Sequence, residues 1–152
     1  TMVLIITMVI PLVTDVSSTP IWGRAYDKFN LAYVRTFAGI FFLLGLFLFF
    51  QSKSLPLLCL ASALIGTGVG GGTMVWTLWV TKVAPKGSES TYMSLHLFFT
   101  GMRGLPAPFL GYWILTNLGP SAVSWGSAIL ITLGCLVFIR LASDKRLIPN
   151  YL

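Results

Sequence analysis

The chain has 152 residues, of which 56% are hydrophobic and 9% charged, and its mean hydropathy is +0.87. Soluble domains carry charge on roughly a quarter of their residues, so this composition excludes one and describes an integral, multi-pass membrane protein. The formal net charge of +6 does not imply nucleic acid, because the basic residues punctuate apolar runs instead of gathering on one polar face.

Windows of about 20 apolar residues give five spans, approximately 1–19, 31–51, 57–81, 91–116 and 122–142. None shows the period-two alternation of a barrel strand. The predicted fold is therefore an all-α bundle of five transmembrane helices, forming a single partial transmembrane domain. The first span carries Pro11 and Asp15. No basic segment precedes it and no small-residue cleavage site follows, which argues against a secretory leader. The span is short and the chain starts at Thr1, so upstream sequence is expected.

The stretch Pro20-Ile21-Trp22-Gly23-Arg24-Ala25-Tyr26-Asp27-Lys28-Phe29-Asn30 comes next. An open loop in lipid would leave backbone N–H and C=O groups unpaired, so this charged island is expected to be a turn at the aqueous boundary. The second span has a bulky face from Ile40 to Phe50 that suits lipid contact. The third carries Gly66-Thr67-Gly68-Val69-Gly70-Gly71-Gly72, which lacks the flanking strand, acid and Gly-Lys-Ser/Thr ending of a nucleotide loop. Gly66 and Gly70 form a small-xxx-small pair that favours close helix packing or a hinge. Trp76 and Trp79 follow, where an aromatic belt is expected. In the loop after them, Ser88 or Ser90 is a candidate cap for the fourth span.

That fourth span is the least lipid-like, with His96, Thr100, Arg103, Pro106 and Pro108 beside several glycines. The turn Asn117-Leu118-Gly119-Pro120 leads to the fifth span, which a basic tail follows. Cys59 and Cys135 lie in apolar runs without Cys-x-x-Cys or His spacing, so the expectation is no disulfide, no metal and no cofactor. The first, third and last junctions hold Arg24, Lys28, Arg35, Lys82, Lys86, Arg140, Lys145 and Arg146, eight of the ten basic residues, against Lys53 alone at the opposite junctions. The positive-inside rule then assigns residues 20–30 and the C-terminus to the cytoplasm.

Gly23-Arg24-Ala25-Tyr26-Asp27-Lys28, in a short loop between two spans, resembles the signature loop of major facilitator superfamily transporters, Gly-x-x-x-Asp-Arg/Lys-x-Gly followed by basic residues. Gly23, Asp27 and Lys28 fit. Asn30 stands at the second Gly, a mild departure because Asn tolerates a left-handed backbone, and Leu31 and Ala32 replace the basic pair. The order of spans, the loop lengths, the Gly-rich third span and the Pro-broken fourth extend the resemblance over nearly the whole chain. It implies helices two to six of one six-helix half. The weakened signature and the missing Arg-x-x-x-Gly in the third span favour the C-terminal half, helices eight to twelve of the complete protein.

The resemblance further implies a secondary active transporter that moves a small-molecule substrate by alternating access. Its partners would be the lipid bilayer, the missing N-terminal half and a coupling ion such as a proton. Gly23, Arg24, Asp27 and Lys28 would form a conformational gate, with Asp27 facing a helix N-terminus. A solvated turn with basic topology anchors is the competing reading of these residues.

Arg103 lies near the middle of its span, where a charge must face a cavity or a partner. Pro106 and Pro108 interrupt the helix just beyond it, a pattern seen where transport cavities lie. Arg103 could bind an anionic substrate group, or instead satisfy carbonyls and fix packing. His96 and Thr100 share that face; His96 could relay protons or make an interhelical hydrogen bond. An enzyme is not expected, since no Ser/His/Asp or His-Glu-x-x-His arrangement is present. A structural or assembly subunit of a membrane complex is the alternative function.

Overall fold

The computed structural model describes residues 2–143, and the expected tail residues Lys145 and Arg146 lie outside them. Among the described residues no strand occurs, and long helices follow one another through short turns. They are α1 (Met2–Lys28), α2 (Leu31–Gln51), α3 (Leu55–Val83), α4 (Glu89–Gly104), α5 (Pro106–Leu118) and α6 (Pro120–Leu141). Four of these, α1, α2, α3 and α6, are long and apolar enough to cross a membrane.

The expected fourth span, 91–116, is two helices end to end. Leu105 keeps helical dihedrals between them (φ −66°, ψ −55°), so α4 and α5 follow one path. Prolines at 106 and 108 cannot donate to the carbonyls of Met102 and Gly104, which explains the interruption.

The expected turn at residues 20–30 is corrected. The helix runs on through Lys28, and Phe29 and Asn30 make the whole connection to α2. A helix pairs its own backbone groups, so charges at its end do not require an open loop. Asn30 is not left-handed (φ −59°); its Oδ1 caps α2 by accepting from the Ala32 N–H at 2.8 Å. Its Nδ2 donates to the Ala142 carbonyl at 2.8 Å, tying the start of α2 to the end of α6. Ser88 holds the cap position of α4, but its hydroxyl donates to the Pro85 carbonyl instead.

The glycines of α3 set the packing. A Cβ on Gly66 would overlap Thr14 and Pro11 of α1, and one on Gly70 would stand 2.8 Å from Asp15 Oδ1. On another side of the same helix, a Cβ on Gly68 would lie 2.6 Å from the Phe42 nitrogen of α2. Helix α3 thus holds both neighbours at backbone distance, as small residues allow in lipid. Rising numbers on α1 meet rising numbers on α3, so these two run parallel, while α2 runs against both α3 and α6. This up-and-down course brings Lys28, Lys82 and Arg140 to one end of the bundle and Lys53 to the other. The buried core joins Trp22 and Tyr26 of α1, Leu31, Val34 and Ala38 of α2, and Val75 of α3.

Candidate functional site: a basic, aromatic-walled cavity and the end of the first helix

A cavity of about 980 Å³ lies between α2, α3, α4 and α6. It reaches from Leu31, Val83 and Leu141 at the basic end to Phe42, Gly68 and Leu130 in the bundle's middle. Arg103 and His96, seven residues apart on one face of α4, both line it. Thr100 does not line it; its hydroxyl donates to the His96 carbonyl at 2.8 Å. The Arg103 guanidinium carbon stands 4.9 Å from the Trp76 ring centroid, within cation–π range. The His96 ring meets Trp76 at 4.3 Å and Trp79 at 5.3 Å, both edge-on. Trp76 and Trp79, expected in an aromatic belt near the aqueous end, line this wall. His96 Nε2 and Trp79 Nε1 are buried with no hydrogen-bond partner among the described residues.

In sequence Arg35 reads as a topology signal, and the structure places it in the same wall. Its guanidinium carbon is 5.9 Å from the Phe138 ring centroid. Gly72 leaves it room, since a Cβ there would stand 3.0 Å from Arg35 Nη1. The signal for Arg35 was its register: Leu31, Arg35, Ala38 and Phe42 recur on one helical face, and all four line the cavity. No lining residue is an Asp or Glu, and among the described residues neither arginine has an ion-pair partner. A charge at mid-bilayer, where the sequence places Arg103, costs roughly 2.5–3.5 kcal/mol even on the lenient insertion scale, while Arg35 lies one turn inside the basic end of α2. Two guanidinium groups with no ion-pair partner among the described residues make this an electropositive cavity in an apolar bundle.

The end of α1 is stitched to α3. Trp22 Nε1 donates to the Thr67 carbonyl at 2.9 Å, and the Tyr26 hydroxyl to the Leu78 carbonyl at 2.7 Å. Lys82 Nζ donates to the Tyr26 carbonyl and stands 3.9 Å from that tyrosine's ring centroid. A cation thus covers the carbonyl end of α1, where the helix dipole favours it. Arg24, Asp27 and Lys28 are exposed, and Gly23 faces Met74 at an ordinary distance, 3.7 Å for an added Cβ. Gly66 and Gly70 sit in the α1–α3 seam, away from the cavity wall. Asp15 lies in that seam too, and Pro106 and Pro108 open α5.

Residues 2–149 match the family model described as Major Facilitator Superfamily. The chain is 45% identical over 64 residues to "Multidrug resistance protein fnx1" of Schizosaccharomyces pombe, covering 41% of this chain and 12% of that protein. It is 29% identical over 122 residues to "MFS-type efflux transporter phmH" of Phaeosphaeria nodorum, covering 80% of this chain and 21% of that protein. The aligned stretches thus span about a fifth or less of these relatives' length. No solved structure matches the chain.

Proposed function

The chain belongs to the Major Facilitator Superfamily, and from this premise we propose that it forms part of a longer secondary transporter moving a small solute by alternating access. The observation that carries this reading is the large cavity whose wall holds Arg35, His96 and Arg103 inside an apolar bundle. A purely structural subunit has no use for two guanidinium groups that find no ion-pair partner among the described residues. The weakened signature assigns the chain to the C-terminal half, with an N-terminal half completing the pathway. The excess of basic residues at one end supports a cytoplasmic location for that end. His96 is the candidate proton carrier for coupling.

The exposed carboxylate of Asp27 acts as a gate latch whose partner lies outside the described residues. Contacts of a carboxylate with a helix N-terminus are worth about 0.3–1 kcal/mol when exposed and up to about 2 when partly buried. Asp27→Ala in the complete protein is therefore expected to slow transport a few-fold to about thirtyfold, while membrane insertion and thermal stability stay unchanged. Transport at the parent rate would remove the latch.

The function itself is tested by loading cells with an anionic dye, fluorescein, and separately with a cationic one, rhodamine. Cells making the complete protein should lose at least one dye faster than cells with an empty vector. Equal retention of both dyes, with the protein present in the membrane, would favour the assembly-subunit reading.

A further inference from the structure

We infer that the cavity takes an amphipathic organic anion, a carboxylate carried on a flat apolar or aromatic body. The inference rests on the transport reading and names the chemical class of its cargo. The polar groups that line the cavity are mainly donors, the guanidinium groups of Arg35 and Arg103, and Trp79, whose buried indole N–H has no partner among the described residues, stands in the same wall. An arginine presents parallel N–H groups that match a carboxylate edge to edge, and an indole N–H can only donate. His96, whose Nε2 is buried with no partner among the described residues, stands among the same rings.

Nothing in the wall competes for these donors with a carboxylate of its own. The rest of the wall is apolar and aromatic, and Trp76 and Phe138 lie beside the two guanidinium groups. A flat hydrocarbon body can stack there while its carboxylate meets the arginines. The cavity's volume of about 980 Å³ is ample for a drug-sized molecule. Because it reaches the basic end of the bundle, the surrounding cations also draw an anion toward its mouth.

The test uses the complete protein in lipid nanodiscs and three probes of one shape: 2-naphthoate, neutral 2-naphthamide and cationic 2-naphthylmethylammonium. Naphthoate is expected to bind at least tenfold more tightly than either of the others. Arg35→Gln and Arg103→Gln should each weaken naphthoate tenfold or more and leave naphthamide unchanged. Arg103→Lys, which keeps the charge without the fork, should recover part of that loss. Equal binding of the three probes, or equal loss of naphthoate and naphthamide in the Gln variants, would overturn the proposal. So would full recovery of naphthoate affinity by a well-folded Arg103→Lys, since the paired N–H groups of the guanidinium would then play no part. Naphthoate that binds but never crosses a proteoliposome membrane would contradict the transport reading and leave the anion site standing. Transport of all three probes at one rate would do the reverse.

Discussion

Gly66→Leu in the complete protein is expected to abolish monodisperse, folded material. Overpacking a core by a few methylenes costs about 1–3 kcal/mol when side chains can give way. Here the first carbon added already overlaps the Pro11 carbonyl and Thr14 Oγ1, so backbone must move. Helices α1 and α3 would have to separate along their seam, losing the contacts of Trp22 and Tyr26 as well as those of Gly66. In lipid that seam is held by packing and hydrogen bonds, with little hydrophobic drive to restore it. Gly23→Ala is the internal control. Its new carbon would meet Met74 Cε at 3.7 Å, so size-exclusion profile and melting temperature should match the parent. A Gly66→Leu protein as stable as the Gly23→Ala protein would contradict the packing described.

Trp22→Ala should produce the next largest effect. Trp22 is 8% exposed and lies at the centre of the core, with an edge-on contact to Phe41 at 6.0 Å and its indole ring over Gly71. Truncating a buried Trp in a soluble core costs about 3–5 kcal/mol. Part of that is transfer from water, which counts for less among lipid tails. The cavity left over Gly71 and the lost bond to Thr67 remain, so about 2–3 kcal/mol is expected here. Trp22→Phe, which keeps most of the ring but not the donor, should cost about 1 kcal/mol. Denaturation in mixed micelles measures both, and equal losses for Ala and Phe would assign the effect to the hydrogen bond and not to packing.

Much of this was legible in the sequence because membrane helices advertise themselves by length and hydropathy. The helix α2 covers the predicted span 31–51, and the small-xxx-small pair in α3 packs closely against a neighbour. The close approach is read from Gly66 and Gly70 themselves, since they leave backbone as the only surface to meet. The island around Gly23 is helix where its charges suggest a turn, because hydropathy marks where charge begins and a helix does not stop there. Its actual end is fixed by Asn30, whose side chain caps one helix and clamps another, and no local pattern announces a partner as distant as Ala142.

The cavity was half legible. Arg103 and His96 stood out as polar groups in an apolar span, whereas Arg35 was hidden by its closeness to a junction where arginine has a topological use. Trp76 and Trp79 read in sequence only as belt residues, because nothing local to α3 announces His96 and Arg103 as their neighbours. What reunites these residues is tertiary: α2 and α4 are brought together only across α3 and α6. The split of the fourth span was foreseeable from Pro106 and Pro108, but its continuity through Leu105 depends on how tightly the junction is wound.

The central claim is that this cavity belongs to a pathway open to each side of the membrane in turn. Cys135 lines it and supplies a native reporter. With every other cysteine of the complete protein replaced by serine, a membrane-impermeant maleimide should modify Cys135 from the cytoplasmic side under one solute gradient and from the opposite side when that gradient is reversed. Modification from a single side under both gradients would contradict alternating access.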